Sequence, residues 1–160
     1  GSDPDAGRAM LLGIWRNVAV QAGSGRAART QFDSGFGDAL ITYEQDAIWS
    51  RSRGSSRFEI VYPRSTILSE HTVVVIDQRV SEKQRELVGA FVDFLWSEEA
   101  QRIFVRSGFR SVDERLNSLN PQFGHIHDPF FIDDFGGWRK AKVTIIDEMW
   151  KNGVLKELKP

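Results

Sequence analysis

The chain has 160 residues, of which 41% are hydrophobic, and its 21 basic and 22 acidic residues give a net charge of −1. This length is enough for one domain with a buried core. The balance of charge argues against nucleic acid as a partner, which would require an excess of basic residues. The absence of cysteine excludes disulfides, thiol catalysis and cysteine-ligated metals, and no apolar run is long enough to span a membrane.

The first part of the chain predicts a helix, a strand and a second helix. Asp3 and Pro4 are typical of a helix start, and apolar residues recur at helical spacing behind them. Residues 18–20 (VAV) predict a short buried strand. A turn of small residues at 22–25 follows, and it opens a helix that is predicted over residues 26–32.

The middle of the chain predicts three further strands and one short helix. Residues 38–43 (DALITY) and 58–62 (FEIVY) have strand-like patterns, and residues 44–51 between them predict the helix. Residues 72–76 (TVVVI), rich in β-branched side chains, are the most strand-like segment of the chain. This alternation of helices and strands predicts an α/β fold.

Three helices are predicted in the second half of the chain. Ser81 and Gln84 form a capping-box pattern at the start of the first. Ser97 caps the next helix, for which Gly108 is a suitable stop. A loop containing two prolines follows, and the last helix is predicted to open near Asp133.

The turn Gly23-Ser24-Gly25-Arg26 is the strongest candidate for a ligand site. The free N–H groups of a first helical turn point outward, and the helix dipole adds partial positive charge, so the turn can hold a sulfate or phosphate. Ser24 adds a hydroxyl donor, and Arg26 or Arg29 adds a cation. The alternative is a turn that merely connects a strand to a helix. The pattern of a nucleotide-binding P-loop is absent.

The three histidines are the candidates for metal binding or general-base chemistry. His125 and His127, with Asp128, could ligate a metal from one loop, provided the segment is extended; an ordinary surface loop is the alternative. His71 is interpreted as an exposed residue at a strand entry rather than as a polar contact of a ligand cleft. A hydrolase with Ser24 as nucleophile would need a base, and no histidine has a motif-level link to Ser24.

Other polar groups have a structural interpretation beside a functional one. Glu44 and Asp46 could form a catalytic carboxylate pair, but neighbouring acids on a short helix are typical of a solvated first turn. Asp133 and Asp134 are interpreted as a helix cap, and Trp138 as a core residue. Arg51, Arg53 and Arg57 are interpreted as a solvated basic loop.

Four blocks of sequence, taken together and in order, carry more information than any single motif. They are VAVQAGSGRAARTQFDSGFGDALITYEQDA at 18–47, FEIVYPRSTILSEHTVVVID at 58–77, FLWSEEAQ at 94–101 and FIDDFGGW at 131–138. In this order they resemble the bacterial sulfate-type (oxyanion) extracellular solute-binding protein family. The resemblance extends over nearly the whole chain from residue 18, which makes it far more specific than any single motif.

The resemblance implies a type II periplasmic-binding-protein fold, a three-layer αβα sandwich with a mixed sheet. Such proteins hold a dehydrated oxyanion between two lobes through neutral donors, and the resemblance implies no cofactor, no metal and no catalytic residue. The implied ligand contacts are Ser24, Gly25, Arg26 and Tyr43. Tyr43 stands where sulfate-specific members have tryptophan. Because tyrosine both donates and accepts, a protonated oxyanion or another small ligand becomes admissible.

The chain resembles a C-terminal fragment of such a protein, without the first lobe's N-terminal half and the second lobe's opening strand. We expect residues 1–2 to be a tag remnant, residues 3–77 to form the second-lobe core, and residues 78–160 to be a helical segment returning toward the first lobe. Without the opening strand, its neighbour in the sheet would have an unpaired edge, and such edges favour pairing with another chain. A homodimer formed by strand exchange is therefore possible.

The resemblance implies the solute-binding component of an ABC transporter, located in the periplasm or otherwise outside the cytoplasm, with a membrane anchor allowed in the full-length protein. Its implied partners are a small oxyanion such as sulfate and the transporter permease, and no enzymatic activity is expected. The alternative is a ligand-sensing module of the same fold in a regulatory protein. A secretion signal would favour transport, whereas a helix-turn-helix would favour regulation.

Overall fold

The computed structural model describes residues 3–54 and 58–158, so the predicted tag remnant at residues 1–2 and Arg57 of the basic loop lie outside the described residues. Seven α-helices longer than three residues are present in the described residues: α1 Pro4–Arg16, α2 Gly25–Asp33, α3 Glu44–Ser52, α4 Glu82–Trp96, α5 Glu98–Arg106, α6 Glu114–Asn117 and α7 Gly137–Ala141. Helix α7 continues as a π-helix over Lys142–Val154 and ends as α8, Leu155–Glu157. Short 3₁₀ turns occupy Asp77–Arg79 and Ile132–Phe135.

The starts of α1 and α5 are confirmed because their determinants are local, whereas the last helix begins at Gly137 rather than near Asp133. The Asp3 carboxylate accepts from the amides of Asp5 and Ala6, and Pro4 occupies the first turn of α1. The Ser97 hydroxyl accepts from the amide of Ala100 and begins α5. These side chains satisfy amides that have no partner within the helix, so the first turns form where the sequence predicts them.

The predicted strands at 18–20, 38–43, 58–62 and 72–76 are wrong for this structure, because none of them is a strand among the described residues. The described sheet has two parallel strands, β1 Ser65–Ile67 and β2 Asp128–Phe130, in the register Ser65↔Asp128 to Ile67↔Phe130. The fold described is therefore helix-rich with a small parallel sheet.

The physical reason for the missing strands is the lack of a neighbour with which to pair. A strand is stabilised by hydrogen bonds and side-chain contacts across the sheet, and these are not local to the sequence. Ile41 is 86% exposed and Val74 is 75% exposed. Residues 58–62 still alternate between half-buried and exposed side chains, as a strand would, without a hydrogen-bonded neighbour in the described part of the chain. These segments thus have the residue pattern of strands but do not pair into a sheet among the described residues.

The hydrophobic core is small. Ile48, Val105 and Leu116 are buried on α3, α5 and α6, and Ala141 and Val154 are buried on the last helix. Gly108 has a φ of +86° and packs directly against Ile48, since a Cβ at Gly108 would lie 3.4 Å from Ile48 Cγ2. This confirms Gly108 as the C-terminal stop of α5, because a left-handed conformation next to a buried side chain favours glycine.

A buried polar cluster joins α5 to α6. The Ser111 hydroxyl donates to Gln101 Oε1 at 2.7 Å, and the Ser111 amide donates to Asn117 Oδ1 at 2.6 Å. Asn117 Nδ2 returns a bond to the Ser111 carbonyl at 3.1 Å, and Gln101 Nε2 donates to the Leu95 carbonyl at 2.8 Å. Because buried polar groups are costly unless they are paired, this set of bonds fixes one arrangement of the two helices.

Candidate functional site

The four predicted ligand contacts lie at the N-terminal ends of two helices. Ser24 is the N-cap of α2, with its hydroxyl accepting from the Ala27 amide at 3.2 Å, and Gly25 and Arg26 are the first two residues of that helix. Tyr43 is the N-cap of α3, and its side chain is 64% exposed. The predicted turn therefore does open a helix, and all four residues are on the surface.

Asp46 connects the two helix starts. Its Oδ1 accepts from Arg29 Nη1 at 2.6 Å, and its Oδ2 accepts from Thr42 Oγ1 at 3.4 Å. The same Oδ2 lies 3.5 Å from the position that a Cβ on Gly25 would take. A carboxylate is favoured beside a helix N-terminus, so Asp46 draws the first turn of α2 toward that of α3.

Two sequence interpretations are corrected at this junction. Asp46 is not a solvated acid of a first turn, because it is part-buried in its ion pair with Arg29. Arg29, predicted as a cation for a ligand, is committed to Asp46 and stacks on the Trp49 ring at 4.2 Å. Arg53 also covers this indole, at 4.3 Å, and remains exposed as predicted. Arg26, in contrast, has no ion-pair partner among the residues that the structure describes.

Glu44 is also held in an ion pair rather than solvated. Arg110 binds it in bidentate geometry, through Nε to Oε2 at 2.7 Å and Nη2 to Oε1 at 2.8 Å, and Arg110 Nη2 also donates to the Gly124 carbonyl at 2.6 Å. The guanidinium stacks on Phe123 at 4.9 Å. The hydrogen bonds that Arg110 donates to the Glu44 carboxylate raise the pKa of Arg110, so the cation is retained. This contact ties the start of α3 to the loop that precedes β2, and the sequence gives no local sign of it.

Tyr62 packs across the same loop. Its hydroxyl donates to the Gln122 carbonyl at 3.3 Å, and its ring lies directly on the backbone of Gly124. Burial is the largest cause of a raised pKa for the Tyr62 phenol. The phenol is thus held in its neutral form beside the Glu44–Arg110 pair.

The raised pKa of Tyr62 predicts a loss of stability in alkaline solution. The unfolded chain ionises near the ordinary tyrosine value of 10.0, before the folded chain does, so the contribution is fully present below pH 10 and is lost as pH rises through the higher folded pKa. Urea unfolding of the wild type and of Tyr62→Phe across pH 8 to about 11 measures it. The free energy of unfolding of the wild type should fall more steeply with pH, and equal slopes would contradict the prediction.

The other candidates take mainly structural positions. The rings of His71 and Phe109 are in T-shaped contact, and so are the rings of His125 and His127 in an exposed loop. Asp134 accepts from the Phe131 amide at 2.7 Å at the start of the 3₁₀ turn Ile132–Phe135, whereas the N-cap of α7 is Gly136, so the predicted cap of the last helix is not at Asp133 and Asp134. Across residues 3–54 and 58–158 no group of three or more His, Asp or Glu side chains is arranged to hold a metal ion.

Trp138 corrects a further prediction. It was expected in the core on the apolar stripe of the last helix, but it is 73% exposed. Ala141 on the same stripe is buried, and Ile145 and Met149 are half-buried. The stripe is covered by α1, where Trp15 packs on Trp150 at 4.6 Å, and this cover does not extend to the first turn of the helix.

In the described ranges no helix combines the length and the apolar character that crossing a membrane requires.

The sequence of the chain is similar to those of known solute-binding proteins. The family described as bacterial extracellular solute-binding protein matches residues 6–110. A sulfate-binding protein of Escherichia coli is 34% identical over 133 residues, which are 81% of this chain and 40% of the relative. A sulfate-binding protein of Synechocystis is 33% identical over 119 residues, 73% of this chain and 34% of the relative. A thiosulfate-binding protein of Pseudomonas aeruginosa is 32% identical over 149 residues, 90% of this chain and 45% of the relative.

These matches define the class of protein. The chain belongs to the bacterial extracellular solute-binding protein family, as its ordered sequence blocks predict. It spans about two-fifths of the length of the curated relatives that it matches. The matched family region includes both helix starts that Asp46 connects, at Gly25 and at Glu44.

Proposed function

We propose that the chain is part of the solute-binding component of an ABC transporter, acts outside the cytoplasm without enzymatic activity, and binds a small oxyanion such as sulfate. The observation that carries the proposal is the set of donors at the start of α2. The amides of Ala27 and Ala28 bond to Ser24, which leaves the amides of Gly25 and Arg26 without an acceptor in the described part of the chain. The Ser24 hydroxyl accepts from Ala27 and keeps its own hydrogen for a ligand.

The chemistry of this turn suits an anion held by neutral donors. Two backbone amides and one hydroxyl converge at the positive end of a helix dipole, which is a recurrent way to bind sulfate or phosphate. The exposed Arg26 adds charge nearby. The Asp46 carboxylate acts in the opposite direction, and its pairing with Arg29 offsets part of this repulsion. Tyr43, at the neighbouring helix start, can donate to an oxyanion or accept from a protonated one.

The proposed setting is a larger sandwich fold. The relatives named sulfate-binding and thiosulfate-binding proteins are two to three times as long as the matched region. In a three-layer αβα sandwich, the strand-like segments at 38–43 and 72–76 would pair within a central sheet, with residues 3–77 in one lobe and residues 78–160 returning toward the other. Their exposed β-branched side chains support this arrangement. Strand exchange between two copies would cover the same edges.

The Gly25 amide offers a sharp test of the ligand site. Gly25 is the first residue of α2 and follows an extended Ser24, so proline fits there and removes only the N–H donor. Alanine retains the amide, and its Cβ would make an ordinary contact of 3.5 Å with Asp46. Sulfate affinity is measured by calorimetry on the longest natural protein that contains the chain. We expect Gly25→Pro to weaken the Kd at least tenfold, as for a hydrogen bond to a charged group.

The control variant is Gly25→Ala, for which we expect an affinity close to that of the wild type. Equal binding by the proline and alanine variants would exclude this amide as a ligand contact. The 160-residue chain alone should bind sulfate weakly or not at all, because its few donors lie on an open surface. Micromolar affinity of the isolated chain would contradict the proposal that the site needs further residues.

A further inference from the structure

His125 and His127 present two imidazoles side by side on the surface. Their ring centres are 4.4 Å apart, with an angle of 87° between the planes. Both residues are exposed, whereas Ile126 between them is half-buried. The backbone bends at His127, and the short distance between the ring centres shows that both side chains nevertheless lie on the same side of the chain. The two imidazoles are therefore close enough for joint ligation.

The segment that carries the two rings is held at both ends. Before it, the Gly124 carbonyl accepts from Arg110 Nη2 at 2.6 Å and the Gly124 backbone packs on Tyr62. After it, the Asp128 amide donates to the Arg64 carbonyl at 3.0 Å and begins β2, which pairs with β1. Because the backbone is fixed on either side, an ion bound by both rings costs little further ordering of the chain.

The spacing of the rings fits one shared ion. An imidazole nitrogen lies 2.0–2.1 Å from a bound Zn²⁺, which puts each ring centre about 3.2 Å from the ion. When the two metal–nitrogen bonds meet at about 90°, as in octahedral or square-planar coordination, the ring centres lie about 4.5 Å apart, close to the 4.4 Å between the two rings. Imidazole is a preferred ligand of Zn²⁺, Ni²⁺ and Cu²⁺. We propose that His125 and His127 form a two-ligand site for a divalent transition-metal ion, with water in the remaining coordination positions.

The test is a titration of the 160-residue chain with Zn²⁺ by calorimetry at neutral pH in a non-chelating buffer. We expect one ion per chain for the wild type. His125→Ala and His127→Ala should each weaken the Kd at least tenfold, because each leaves a single imidazole. His71→Ala is the matched control, since His71 lies against Phe109 and away from the pair in sequence; its Kd should stay within about twofold of the wild type. Unchanged binding in both single variants would overturn the proposal.

A second measurement needs no substitution. Ni²⁺ added to the wild-type protein should broaden the imidazole NMR signals of His125 and His127 before those of His71, because a paramagnetic ion acts on the nearest nuclei. Broadening of His71 first, or of no histidine, would refute the site. The site shares no residue with the turn at Gly23-Ser24-Gly25-Arg26, so failure here would leave the proposed oxyanion binding untouched.

Discussion

Replacing Gly124 by alanine is expected to lower the free energy of unfolding by about 2 to 3 kcal/mol, the upper part of the range for overpacking. A Cβ at this position would overlap the Cε2, Cδ2 and Cζ atoms of the Tyr62 ring. The Tyr62 ring cannot withdraw freely, because its hydroxyl is bound to the Gln122 carbonyl and its ring is half-buried. Either the ring or the loop must therefore move, and contacts of both are lost. Urea unfolding of the variant measures the effect.

The matched control is Gly89→Ala, the same change of side chain in open space. Gly89 lies inside α4, and a Cβ there would meet nothing within 4 Å. Alanine is favoured over glycine in a helix interior, so this variant should gain about 0.5 to 1 kcal/mol. Opposite signs for one chemical change would show that the loss at Gly124 comes from Tyr62. A Gly124→Ala variant as stable as the wild type would contradict the described packing.

The helices were predictable from the sequence because each is defined by residues a few positions apart. The Ser24 and Ser97 caps, Pro4 in α1 and the stop at Gly108 all act within one turn of their helix. A side chain that satisfies a neighbouring amide does so in nearly any tertiary setting. The positions of Ser24, Gly25 and Arg26 at the start of α2 follow from the same local rules, whereas Tyr43 precedes α3 without a side-chain cap.

The strands and the partners of the acids were not predictable, because both depend on residues far away in sequence. The β-branched run at 72–76 predicts a strand only if a neighbouring strand exists, and the described residues supply none. Glu44 pairs with Arg110 across 66 positions, and Asp46 with Arg29 across 17. A sequence pattern shows that an acid follows a helix start, but not which cation reaches it. The glycine at 124 carries no local signal either, since its role is set by the ring of Tyr62.

Arg110 is the residue whose loss should destabilise this part of the chain most. Arg110→Met keeps the length of the side chain but leaves the part-buried Glu44 carboxylate without its cation and the Gly124 carbonyl without its donor. Breaking a fully buried pair costs about 3 to 5 kcal/mol. Because the two side chains here are 23% and 20% exposed, we expect about 2 to 3 kcal/mol in urea unfolding. Arg110→Lys should lose less, since lysine keeps the charge but not the bidentate geometry.

Two comparisons separate the pair from a general effect of charge. Arg102→Met removes an exposed ion pair with Glu98 and should change the free energy of unfolding by no more than about 0.5 kcal/mol. The double variant Glu44→Gln with Arg110→Met should lose less than the sum of the single variants, because an unpaired carboxylate is no longer left behind. Additive losses would mean that the two side chains do not interact.

Arg110 also anchors the loop before His125. Its loss should therefore weaken Zn²⁺ binding without removing either imidazole, which links the stability of this junction to the proposed metal site.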